Sequence, residues 1–159
     1  MAYKTIKVKK YLDIIEEYVA TAAVIKPGYL LELTSAGTVQ AHSTSGGNVL
    51  PMFALEDELQ GNGIDTSYAV SVPIQVWIPT RGDMVYAKLA DGQSATVGDF
   101  LESAGNGQLN VYAADAIDSS DPGALTVYPN QIVGQALETL DVSSSTGADT
   151  TYFILIRII

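Results

Sequence analysis

The chain contains one histidine, His42, set between Ala41 and Ser43, and no cysteine. A single imidazole can serve as a general base or as one metal ligand, but it cannot build the His/Cys sets that zinc requires. The Gly/Ser stretch at 43–48 reads as a flexible loop, so His42 is expected to be a solvent-facing loop histidine. Carboxylates are the other chemically capable groups. Glu56-Asp57-Glu58 is the densest acidic run, and Asp115, Asp118 and Asp121 recur every third residue. Loop oxygens suit calcium, yet neither run follows the twelve-residue calcium loop, and both are read as solvated acidic loops. Gly61-Asn62-Gly63 and Gly105-Asn106-Gly107 are read as tight turns, because the strand, GxxxxGK and helix order of a phosphate cradle is missing around them. Arg81-Gly82-Asp83 spells a tripeptide that some cell-surface receptors bind, but Gly82 ahead of an apolar segment is better explained as a turn. Trp77, beside Ile78 and Pro79, is expected to be a core or interface aromatic. No catalytic, cofactor-binding or metal-binding residue is assigned, and the chain is expected not to be an enzyme.

The elements that position these residues follow from composition and pattern. With 159 residues, 47% hydrophobic and 16% charged, the chain has enough apolar surface for one folded domain. Eighteen acidic against eight basic residues give a net charge of −10, which repels nucleic acid and anionic membranes. Neither is expected as a partner. Four of the eight basic residues (Lys4, Lys7, Lys9 and Lys10) fall in the first ten positions, where no acid occurs. No apolar run approaches bilayer length and the first ten residues lack a signal-peptide core, so a soluble protein made in the cytoplasm is expected.

Thr5 to Lys10 alternates apolar and basic positions, which predicts a strand-like arm over residues 1–12 ahead of a β domain at 13–159. Residues 11–23 fit both a helical stripe and a strand, and strand is preferred. Strands are also expected at 29–33, 50–55, 70–78, 84–89, 94–97, 127–140 and 151–159, with turns at Pro27-Gly28, at 34–37 and at Asp91-Gly92. Pro73 and Pro79 mark the 70–78 segment as an edge or interrupted strand. Short strands punctuated by Gly and Pro predict a mainly β barrel or sandwich. An internal echo supports a paired architecture. Residues 26–39 align without a gap on 96–109, each anchor 70 positions after its counterpart, as with Gly28 and Gly98, Glu32 and Glu102, and Gly37 and Gly107. Phe53-Ala54-Leu55-Glu56 then echoes Gln135-Ala136-Leu137-Glu138 after an insertion placed near 119–123. The pseudo-repeats therefore span about 26–57 and 96–139 and suggest a pseudo-twofold β-barrel.

Several words of the sequence resemble a known family. They are Lys26-Pro-Gly-Tyr-Leu-Leu-Glu-Leu33, Phe53-Ala-Leu-Glu-Asp57, Val76-Trp-Ile-Pro-Thr-Arg-Gly-Asp-Met-Val85, Val97-Gly-Asp-Phe-Leu-Glu-Ser103, Val133-Gly-Gln-Ala-Leu-Glu138 and Ile154-Leu-Ile-Arg-Ile-Ile159. The set is similar to the capsid decoration, or cement, proteins of tailed phages that carry a β-tulip domain. That resemblance implies a compact β-tulip-like domain forming homotrimers on the outer surface of a virion. Such proteins sit at local threefold sites and clamp neighbouring subunits of the major capsid protein. It also implies an extended N-terminal arm, here Tyr3, Lys4, Ile6, Lys7, Val8, Lys9 and Lys10, which would add a strand to a capsid subunit or neighbouring protomer and set lysines against acidic surface. The rival reading is another virion or surface binding module, such as a tail component or a carbohydrate-binding domain with Trp77 in its platform.

Overall fold

Glycines and prolines place the turns of this chain, and short strands form between them. The computed structural model describes residues 5–9, 14–21, 25–114, 128–145 and 152–159. Among these the chain is mainly β: β1 (Lys7–Lys9), β2 (Ile15–Val19), β3 (Leu31–Leu33), β4 (Val39–Ala41), β5 (Phe53–Ala54), β6 (Pro73–Trp77), β7 (Met84–Lys88), β8 (Ser94–Ala95), β9 (Phe100–Ser103), β10 (Leu109–Val111), β11 (Ile132–Ala136), β12 (Leu140–Asp141) and β13 (Phe153–Ile158), with one 3-10 turn at Glu58–Gln60. A six-stranded sheet runs β1-β7-β13-β11-β9-β10, a three-stranded sheet runs β2-β6-β5, and β3-β4 and β8-β12 form pairs. The six-stranded sheet is bounded by β1 and β10, and single parallel bridges join Leu109 of β10 to Leu89 just past β7 and Val39 of β4 to Ala20 just past β2. The mainly β class is as expected, and the ladders do not by themselves show a closed barrel.

The internal echo is written in the hydrogen bonds. In the first half Leu31, Glu32 and Leu33 oppose Ala41, Gln40 and Val39. In the second half Leu101, Glu102 and Ser103 oppose Val111, Asn110 and Leu109 in the same register. Gly28 N–H donates to Ala54 O at 2.9 Å, and its counterpart Gly98 N–H donates to Ala136 O at 2.9 Å. Both glycines sit at positive φ, +83° and +100°, where a residue with a Cβ is strained.

The correspondence extends beyond the aligned words on both sides. Strand β2 pairs along β6 as β7 pairs along β13, with Ile15 opposite Trp77 and Met84 opposite Arg157. The capping bonds match: Ala20 N–H to Val72 O and Leu89 N–H to Tyr152 O, then Ile78 N–H to Ile14 O and Ile158 N–H to Asp83 O. Each half therefore opens with a strand that pairs with its own last strand, with a hairpin and a further strand between, to which the second half adds the β8-β12 pair.

Two details of strand placement differ from expectation. Strand β6 is central, flanked by β2 and β5. Pro73 is tolerated there because it starts the strand, and β5 reaches only as far as Val76, so no partner asks for its missing N–H. Asp91-Gly92 does turn the chain, with Gly92 at φ +76°, but β8 pairs with β12 and not back onto β7. Both long edges of β7 are already taken, by β1 and β13.

Packing produces two apolar clusters. One collects Ile6, Leu30, Phe53, Trp77, Leu101 and Ile154 with their neighbours, and the other collects Ile25, Leu31, Val39, Met52, Ile74 and Val76. Burying each such side chain contributes about 1.5–3 kcal/mol. The paired hairpin glycines offer a direct check on this packing. A Cβ at Gly107 would meet Tyr29 Cδ2 at 2.7 Å and Ala41 Cβ at 3.0 Å at φ +81°, whereas Gly37 has φ +74° and nothing within 4 Å. Gly107→Ala is expected to cost about 3 kcal/mol and Gly37→Ala about 1 kcal/mol in urea denaturation. Equal costs would contradict the close approach at Gly107.

Candidate functional site

The described part of the N-terminal segment is docked on its own domain. Ile6 is fully buried in the larger core cluster, and its carbonyl accepts from Tyr86 N–H at 3.0 Å. The Glu56 carboxylate clamps the segment from the other side, accepting from Thr5 Oγ1 and, at 3.2 Å, from Ile6 N–H. Strand β1 then pairs with β7, Lys7 opposite Val85 and Lys9 opposite Met84. Within the chain, β1 thus adds as a strand to its own six-stranded sheet, because Ile6 fits the core and its N–H finds a carboxylate. Lys7 rims a groove of about 290 Å³ with Thr5, Glu56, Asp57 and Glu58. Tyr3, Lys4 and Lys10 lie outside the described residues.

His42 is not a solvent-facing loop residue. It is 3% exposed, and its backbone N–H donates to Leu30 O at 3.0 Å just after β4. Its ring lies 3.0 Å from Asn48 O through Nε2 and 2.8 Å from Ser103 Oγ through Nδ1. A carbonyl only accepts, so Nε2 carries the proton and Nδ1 accepts from Ser103. Glu32 Oε2 stands 3.7 Å from Nε2, and Glu32 Oε1 accepts from Gln40 and Ser43, each at 2.7 Å. Burial pushes the Glu32 carboxyl up, but these hydrogen bonds and the nearby imidazole outweigh it, and the net shift is downward. Ser103, His42 and Glu32 resemble a nucleophile, base and acid by type. Ser103 is fully buried, however, and the imidazole is held between a hydroxyl and a carbonyl. The arrangement pins the 43–48 loop to β9. His42→Leu would take the ring away from Asn48 O and leave Ser103 Oγ with only the Gly105 N–H at 3.1 Å, an expected loss of about 1–2 kcal/mol in urea denaturation. His42→Gln, which can still donate to Asn48 O, is expected to lose about half as much.

The remaining candidates also resolve into structure. Trp77 is fully buried in the core, which removes it as a sugar-binding platform. Its indole N–H has no hydrogen-bond partner among the described residues. In Arg81-Gly82-Asp83 the Asp83 side chain is fully buried and accepts from Thr80 N–H and Oγ1 at 2.7 and 3.0 Å. Thr96-Val97-Gly98-Asp99 repeats this turn, with the Thr96 N–H and hydroxyl 2.8 and 2.9 Å from Asp99. Those bonds, the backbone one first, hold the Asp99 carboxyl below its ordinary range. The tripeptide is a turn with its carboxylate turned inward.

The Glu56-Asp57-Glu58 run is only partly solvated: Glu58 is exposed, Asp57 is buried and Glu56 holds the arm. No group of three or more His, Asp or Glu side chains is placed to hold a metal among the described residues. Asp115, Asp118 and Asp121 lie outside them. Above this acidic run Tyr68 donates its hydroxyl to Leu55 O at 2.7 Å. Burial, then Asp57 and Glu56, push its ionisation from 10.0 up to about 12. The neutral phenol is the favoured form, so its contribution is present below the ordinary tyrosine pKa and is lost as pH rises through about 12. An ultraviolet titration should show a tyrosine step near pH 12 that Tyr68→Phe removes. A wild-type titration complete by pH 11 would contradict it.

Sequence reasoning missed the buried polar residues Ser103 and Lys88. Lys88 places Nζ 3.4 Å from the centroid of the Phe153 ring, which stacks on Tyr86 at 4.8 Å. Lys88 occupies the place that exposed Val19 holds in the first half, an equivalence that the strand pairing shows and the aligned words do not reach. The exposed apolar residues form the other surface feature. Leu33 and Leu50 line one hollow with Met52, and Leu50 also borders a second with Pro51, Pro129, Ile132 and Ile159. No protein-family profile matches the chain, and no curated protein matches it.

Proposed function

We propose that this protein is a structural decoration protein of a tailed-phage capsid. It binds the outer surface of the shell at local threefold sites as a homotrimer and clamps neighbouring subunits of the major capsid protein. The observation that carries the reading is that the words behind the resemblance fall on matching elements of the two halves. Lys26 to Leu33 and Val97 to Ser103 build the same glycine turn and hairpin strand, and Phe53 to Asp57 and Val133 to Glu138 build the same neighbouring strand. The chemically capable side chains support a mechanical role, since His42, Ser103, Glu32 and Asp83 are each committed to holding loops and turns. A clamp of this kind acts through many modest contacts over a particle, not through one tight site.

The test is co-sedimentation of purified protein with undecorated expanded capsids, alongside its mass in solution by light scattering. Saturable pelleting and a mass near three times 16.8 kDa are expected. Protein that stays in the supernatant at every capsid concentration would sink the reading.

A further inference from the structure

Strands β2 and β7 hold equivalent places in the two halves, but their outer edges differ. Ile14 and Ala20 bond towards β6, so by strand alternation Ile15, Glu17 and Val19 turn their N–H and C=O groups away from it. The equivalent groups on β7 are used: Tyr86 N–H donates to Ile6 O and Lys88 N–H to Gly28 O. Beside Ile15 to Glu17 the described residues place no strand, and β4 meets only the C-terminal end of β2, where Val39 bridges Ala20 and accepts from Thr21 N–H at 3.0 Å. Along Ile15 to Glu17 the flank is open among the described residues, with Ile14, Ile15 and Val19 40%, 39% and 43% exposed and Glu16 and Glu17 exposed between them.

We infer that the outer edge of β2 pairs with the lysine-bearing N-terminal segment of a second copy of this chain. Three observations select that occupant. The chain itself shows which segment suits the matching edge, since β1 covers β7 there. Charge favours it, because Glu16 and Glu17 flank the edge while the first ten residues hold four lysines and no acid. Self-pairing of β2 is disfavoured, since a symmetric antiparallel match centred on Glu17 sets Glu17 against Glu17. Strand β1 ends its own six-stranded sheet, so β2 of one copy extends the sheet of the next. The two surfaces in contact differ, so the contact is head-to-tail and repeats until a ring closes. The inference rests on the self-association in the reading above and not on the capsid.

Sedimentation equilibrium over a concentration series, at low and high salt, tests the pairing. Glu17→Pro removes an outward N–H while leaving the β6 ladder intact, and is expected to weaken association about tenfold. The Glu16→Gln/Glu17→Gln double variant, which keeps the fold, is expected to weaken it about fivefold and to lose most of the salt dependence. A wild-type protein that stays monomeric, or variants that associate as the wild type does, would overturn the pairing. Tighter association of the glutamine variant would overturn it too, in favour of β2 against β2. Capsid co-sedimentation separates the two proposals: a wild-type monomer that still pellets with capsids removes the edge pairing and the homotrimer but leaves capsid binding, whereas an associating protein that stays in the supernatant removes capsid binding alone.

Discussion

Replacing Trp77 with alanine is expected to cost about 3–5 kcal/mol, on the order of a 10 °C fall in melting temperature for a domain of this size. The indole is fully buried between Phe53 and the other apolar side chains of the larger cluster, and it faces Ile15 across β2 and Phe53 across β5. Its removal therefore opens a cavity where two strand ladders meet. Trp77→Phe should cost far less. It shortens the side chain, but it also removes an indole N–H that has no partner among the described residues, a burden of about 1–3 kcal/mol. Thermal unfolding of both variants checks the pair. A tryptophan serving a surface platform would give the opposite pattern, with both variants stable and a ligand lost.

Removing residues 2–10 is expected to destabilise the domain by more than the 2–4 kcal/mol of Ile6→Ala alone. The deletion empties the Ile6 position in the core, strips β1 from β7 and leaves the Glu56 carboxylate without Thr5 and Ile6. Lost capsid occupancy in the truncated protein would then report unfolding as much as lost contact. Neutralising the lysines as Lys4→Gln, Lys7→Gln, Lys9→Gln and Lys10→Gln keeps Ile6 in place and isolates charge. Occupancy is expected to fall several-fold and to become less sensitive to salt. Unchanged occupancy by a folded variant would end the capsid-contact reading of the arm.

Turns and local strands were legible because their causes are local. Gly28, Gly37, Gly98 and Gly107 sit at positive φ, and their constant spacing disclosed the doubled hairpin before any pairing was known. Pairing between distant strands was not legible. Ile15 to Val19 and Met84 to Lys88 share a place in the fold but almost no side-chain chemistry, since one is an acidic edge and the other a covered strand. His42 misled for a related reason. Its neighbours in sequence are polar, and only Ser103, sixty-one residues away, explains its burial. Counting from the repeat would have helped, because His42 matches Tyr112, and both N–H groups cap the same hairpin on Leu30 O and Phe100 O.

Each half is fastened by its first and last strands, β2 with β6 and β7 with β13, so neither is complete until some sixty residues have been brought together. Loop closure must be met before those ladders return any free energy, which makes folding slow relative to a helical protein of equal length. On the ribosome, the first half can zip up once β6 has emerged, while β7 must wait with an uncovered flank until β13 arrives. Synthesis thus exposes the second half longest, and chaperone capture and misassembly during expression should concentrate there.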